Sequence, residues 1–194
     1  MYQQKTDFQI ITPEICAARR QFIDTQIKAL NAFSPARLSA AQSQAWQDYQ
    51  QTLDKLFAEL TNLQSDPSLY NPVGHWKAVL AKSNSPLDER LRRISRQMQE
   101  ANAYFSAAKA NLRKPIPRQT ELAIQKQLLA INFLNTELPD SIAISSLSVA
   151  DRDTLTLRAY ATKIAVKDYL AFCRSLLFEQ SDSTFHTKHP PLPQ

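Results

Sequence analysis

"SPLDERLRRISRQMQEANAYFSAAKANLRKP", Ser85 to Pro115, decides the fold. Its apolar residues are Leu87, Leu91, Ile94, Met98, Ala101, Phe105, Ala108 and Leu112. They recur in strict alternation of four and three, which is the seam of a helix packed in a bundle. Ser85-Pro86 supplies a start signal, and Asp88 and Glu89 stand in the first turn, where the helix dipole favours anions. "RKPIPR" stops the stretch.

The same stretch holds the chain's charge. From Pro86 to Arg118 there are eight cations and three carboxylates, an excess equal to the formal net charge of the whole chain, +5. With the apolar seam turned inward, Arg92, Arg93 and Arg96 project outward and Arg90 flanks the seam. Two readings follow. One is a solvated outer face that pairs with acids on neighbouring helices. The other is a polyanion-binding surface of Arg92, Arg93, Arg96, Arg113 and Lys114, the footprint of a small adaptor or nucleic-acid-binding module. No DNA- or RNA-binding motif accompanies the second.

Prolines and caps divide the remainder. Thr12-Pro13 opens a first helix with Ile15, Phe22, Ile23, Ile27 and Leu30 on one face. Ser34-Pro35 opens a second, expected over Pro35–Leu63, or about 43 Å. "QSDPSLYNPVGH" is a loop, and "WKAVLAK" is a short helix. A fourth long pattern runs from about Gln119 to Glu137 and is stopped by Pro139. Its expected face is Ile124, Leu128, Ile131 and Leu138, widened by Leu129, Phe133 and Leu134. "PDSIAISSLS" is a polar break, and Ser148 with Asp151 resembles a capping box. The last helix is expected over about Val149 to Glu179.

The whole is expected to be all-α: one domain over residues 1–180, an antiparallel bundle of about five to six helices with three of them long. Residues 181–194 have no apolar period and are expected to form a disordered tail. Composition agrees. The 194 residues contain one glycine, Gly74, against about 14 at average usage. Neither GxGxxG nor GxxxxGK[ST] exists in the chain, so Rossmann and P-loop nucleotide sites are excluded. No run of apolar residues is long enough for a membrane span, and the first residues lack signal-peptide character. Cys16 and Cys173 read as free thiols. A cytoplasmic location is therefore expected.

Chemistry-bearing residues are few. His75 is the one histidine ahead of the tail, and no HExxH occurs. His186 and His189 form HxxH in the tail with no third ligand in view. Pro190 to Pro193 has the composition of a polyproline ligand, though such short runs are common in tails. Glu121 is placed to pair with Lys126 or to cap its helix. Trp46 and Tyr49 read as packing residues. No catalytic, metal or cofactor residue is assigned.

Three segments together resemble the bacterial domain-of-unknown-function 885 family. They are "DPSLYNPVGHW" (Asp66–Trp76), the stretch from Asp88 to Pro139 and the stretch from Ala159 to Phe185. Within them, Ala107 to Leu112, Pro115 and Pro117, Thr120 to Ile124, and Tyr169, Phe172 and Leu176 carry the likeness. The resemblance implies a helical, non-catalytic N-terminal part of a longer zinc-metallopeptidase-like protein. In that family the HExxH-type motif lies after the matched region. It also implies a partner, a C-terminal catalytic half or a second copy, over a face left bare.

Overall fold

A computed structural model of the chain describes residues 9–34, 38–82 and 84–188, with side chains through 179. Among them are eight α-helices: α1 (Pro13–Asn31), α2 (Ala40–Ser65), α3 (Pro72–Ala81), α4 (Leu87–Met98), α5 (Ala101–Asn111), α6 (Pro117–Asn135), α7 (Glu137–Ala143) and α8 (Val149–Lys188). The described residues contain no strand. The all-α bundle expected from the sequence is what forms.

The count exceeds the expected five to six for two reasons. First, the Ser85–Pro115 stretch bends at Gln99-Glu100 into α4 and α5. The Glu100 N–H donates to the Gln97 carbonyl at 3.1 Å, a tight i→i−3 turn with no proline or glycine to announce it. The seam passes through the bend intact: Leu91, Ile94, Met98, Ala101, Phe105 and Ala108 are all buried. Second, Pro139 does not stop the chain. It sits in the first turn of α7, where the missing N–H would have no helical partner anyway, and α7 buries Leu138 and Ile142.

Boundaries move where local chemistry competes. The Ser34-Pro35 signal falls partly on residues 35–37, outside the described residues. The start of α2 is set instead by Ser39, whose Oγ accepts from the Gln42 N–H while Gln42 Oε1 accepts from the Ser39 N–H. Thr12 caps α1 as expected. Asn71 caps α3 through the Gly74 N–H at 3.2 Å, and a Cβ on Gly74 would press on that same amide. The last helix continues to Lys188 rather than ending at Glu179; nothing between Gln180 and Lys188 is Pro or Gly, and the first breaker is Pro190.

The α4 and α5 helices lie parallel to α8. Contacts climb both elements together: Arg92 with Asp151, Ser95 with Arg158, Met98 with Thr162, Lys109 with Asp168. The α6 helix runs the other way against α8, with Asn135 near Lys163. The α6–α8 contact is the most extensive in the fold. Of the expected apolar face, Phe133, Leu134 and Leu138 are buried and Ile124 and Ile131 pack against the core, and two leucines depart from it. Leu128 and Leu129 are 48% and 70% exposed, while Ala123, Gln127, Ala130, Phe133 and Leu134 turn inward. Alanines on α6, and Ala159 and Ala165 on α8, permit the close approach that leucines would prevent.

Polar residues tie the layers. Tyr169 Oη donates to the Pro67 carbonyl at 3.0 Å, and its ring lies 4.9 Å from Phe105. Gln127, fully buried, donates to the Tyr70 carbonyl at 3.0 Å. Asn111 Nδ2 donates to the Ile11 carbonyl at 2.6 Å and Asn111 Oδ1 accepts from the Cys16 thiol at 3.6 Å, which pins α1 to the end of α5. Asn111→Ala leaves that carbonyl without its partner. It should lower stability by about 1–3 kcal/mol, read as a drop in the urea midpoint.

Burial holds several acids protonated. It pushes the Cys173 thiol up to about 11 and the Tyr70 hydroxyl up to about 12, and it raises Cys16, Tyr104 and Tyr169 as well. Unfolded, a thiol ionises near 9.0 and a phenol near 10.0. The unfolded chain therefore releases these protons first. Stability from these groups is complete below pH 9.0 and falls as pH rises toward about 12. Urea midpoints measured at increasing pH should stay level across the neutral range and decline through that alkaline window.

Candidate anion-binding cleft

The outward face of α4 meets the exit of α3 in an open cleft of about 460 Å³. Its walls carry Lys82 from the end of α3 and Glu89, Arg90, Arg92, Arg93 and Arg96 from α4, with Val79, Asn84 and Ser85. Among the described residues that line it are five cations and one carboxylate. Local sequence explains the placement. The α4 seam buries Leu91, Ile94, Ser95 and Met98, so residues between those positions must point away from the core.

The arginines differ in what they already hold. Arg90 is half-buried and donates to the Leu80 carbonyl, in the last turn of α3, where a cation also complements the helix dipole. Its Nε is buried without a hydrogen-bond partner among the described residues. Arg92 pairs with Asp151 of α8 at 3.3 Å, both side chains about half exposed. Arg92 and Arg96 also border a second cleft of about 250 Å³ that contains Asp151 and Arg158. Arg158 is committed to Ser95, donating to its carbonyl at 3.3 Å and its Oγ at 3.0 Å.

Arg113 and Lys114, grouped with these residues by sequence, stand elsewhere. They follow α5, roughly 25 Å of helix axis beyond Arg96. Their backbone N–H groups both donate to the Gln64 carbonyl at the end of α2, at 3.0 and 3.3 Å. The five-residue basic set therefore divides into a cleft of three and an exposed pair on a different loop.

Other singled-out residues take structural places. Lys126 does not reach Glu121; its Nζ donates to the Ser68 carbonyl at 3.0 Å. Asp88 accepts from the Ser146 N–H at 3.0 Å, so it ties α4 to the loop before α8. Asp151 N–H donates to Ser148 Oγ at 3.1 Å, half of the expected capping box. Trp46 donates to the Leu30 carbonyl at 3.3 Å and Tyr49 to Gln26 at 2.9 Å, joining α2 to α1. His75 is half-buried on α3. Among the described residues no three of His, Cys, Asp and Glu gather as a metal site requires. The HxxH pair and the proline run lie at the chain's end: His189 and Pro190 to Pro193 fall outside the described residues. Among those described, no helix is long and apolar enough to cross a membrane.

No family model matches the chain, and no match was found among curated proteins. Among solved structures it is similar to "a putative lipoprotein of unknown function" from Shewanella oneidensis, with a TM-score of 0.71 at 22% identity over 91% of this chain. At that identity the likeness establishes the all-α fold. This chain spans 33% of that protein's length.

The partners predict which arginines the fold needs. Arg90→Ala should cost about 1.5–3 kcal/mol, the range for a charged hydrogen bond at a part-buried site. Arg92→Ala should cost less than about 1 kcal/mol, because its ion pair is exposed. Urea titration of both variants separates the two.

Proposed function

We propose that this chain is a non-catalytic helical scaffold whose outer α8 face is covered by further polypeptide. One observation carries this reading: α8 is apolar on two opposite sides. Its inner side holds Leu155, Val166, Tyr169 and Cys173. About half a turn away, Leu157, Tyr160 and Ile164 recur at three and four residues and are 70%, 58% and 52% exposed. Val149 and Phe178 extend the same outer side. A helix apolar on both sides is one built to be sandwiched. The likeness to one third of a longer protein is consistent with this.

The family resemblance gives the reading its finer form, an N-terminal part of a peptidase-like protein that supplies a wall of the cleft and no catalytic group. Two free thiols, Cys16 and Cys173, go with a reducing, cytoplasmic setting. The basic cleft and the separated Arg113–Lys114 pair do not form the continuous stripe that a nucleic-acid module needs, so the scaffold reading is preferred.

The chain alone should associate with rising concentration in sedimentation velocity. The triple variant Leu157→Gln, Tyr160→Ser, Ile164→Gln should reduce that association while its urea midpoint moves by no more than about 0.5 kcal/mol equivalent, as expected for surface changes. A wild-type chain that stays monomeric throughout would overturn the covered-face reading. Metal-dependent peptide hydrolysis by the purified chain would overturn the non-catalytic one.

A further inference from the structure

Resting on the covered-face reading, we infer that the cover of the outer α8 face is a second copy of this chain, with the two α8 helices antiparallel. The apolar residues of that face keep a strict step of seven: Ala150, Leu157, Ile164, Ala171 and Phe178. Three residues after each of the first four stand Asp153, Tyr160, Lys167 and Arg174. Together they alternate by three and four along α8, and every one of them is exposed. That spacing is the seam by which one helix packs along another at a shallow angle. The seam of α4 and α5 has the same spacing and is buried in the bundle; this one is bare among the described residues. Beside Tyr160 it opens into a recess of about 350 Å³ whose walls include Pro139, Ile142 and Ala159, so the apolar surface extends past the helix itself.

Charge selects the occupant. The seam carries one carboxylate near its start, Asp153, and two cations toward its end, Lys167 and Arg174. Two copies lying parallel and in register would set each of these against itself, like charge on like charge, which works against pairing. Turned end for end about the midpoint between Tyr160 and Ile164, the same two helices become complementary. Asp153 then lies opposite the partner's Ala171, between the partner's Lys167 and the partner's Arg174. Tyr160 meets the partner's Ile164, and the two-fold repeats that contact, so an apolar centre is closed by an ion-pair cluster at each end. Leu157 meets the partner's Lys167, whose methylene stem covers it while the ammonium reaches the carboxylate. From Ala150 to Arg174 each copy faces the other over roughly 36 Å. A seam whose charges are complementary to their own reversal is suited to a second copy of itself.

The test is sedimentation velocity over a concentration series at low salt. The wild-type chain should pass from monomer to a species of twice its mass and stop there, because a two-fold pair closes on itself. Asp153→Lys should weaken that dimer about tenfold or more, and Lys167→Asp/Arg174→Asp should do the same. All three substitutions together exchange the charges and should return the dimer to within about threefold of wild type. Each variant, diluted until monomeric, should keep the wild-type urea midpoint, so that loss of the dimer is not loss of the fold. A chain that associates but is indifferent to these substitutions, or whose combined variant stays as weak as its parents, would overturn the antiparallel pair and leave the covered face standing. Growth past the dimer would do the same. A chain monomeric at every concentration would overturn both.

Discussion

Tyr169 is where the bundle is keyed together. It is fully buried on α8, with its ring against Phe105 of α5 and in edge contact with Tyr70. Its hydroxyl reaches the Pro67 carbonyl, 102 residues away in sequence. A buried phenol needs that acceptor, because leaving it unpaired costs about 1–3 kcal/mol. The requirement fixes the rotation of α8 relative to the Pro67–Leu69 turn. Once that rotation is set, Leu155, Val166 and Cys173 must face inward, and the parallel contacts from Arg92–Asp151 to Lys109–Asp168 follow in register.

Much of this was legible in the sequence, and what was not has physical causes. The Leu87-to-Leu112 seam was read correctly as core because its apolar residues, Ala101 and Ala108 among them, are regularly spaced. Of the face expected around α6, Phe133, Leu134 and Leu138 are buried and Ile124 and Ile131 pack against the core; Leu128 and Leu129 were misplaced because periodicity favours large residues, whereas α6 also buries Ala123, Ala130 and the amide of Gln127. There Leu128 and Leu129 have no room and turn outward. The bend at Gln99-Glu100 gives no sign because neither residue is a breaker. Pro139 gave a true signal with two meanings, since proline marks both the end of one helix and the first turn of the next.

The arginine face shows a second limit. Sequence places Arg92, Arg93, Arg96, Arg113 and Lys114 in one basic segment, and helical periodicity correctly puts the first three outside. It cannot show that α3 returns to stand over them, because that depends on how the Pro72–Ala81 helix docks on α4. Nor can it show that Arg90 is spent on the Leu80 carbonyl. Within this run Arg90 donates to a backbone carbonyl and Arg92 forms a surface ion pair, and all four α4 arginines line the cleft with Lys82. These roles come from the neighbours, not from the run.

The length of α8 bears on what lies beyond the bundle. Its 40 residues rise about 60 Å, while α6, its main partner, has 19 and rises about 28 Å. Burial on α8 ends at Cys173, and from Arg174 to Glu179 no side chain is buried, with Phe178 among the most exposed. Isolated helices shorter than about 12–15 residues are marginal in water unless packing supports them. From Arg174 to Glu179 little within the bundle holds the helix, and its exposed Phe178 lies on the same side as Leu157, Tyr160 and Ile164. The overhang and the outer stripe share one side of α8, the side that the proposed covering polypeptide would take.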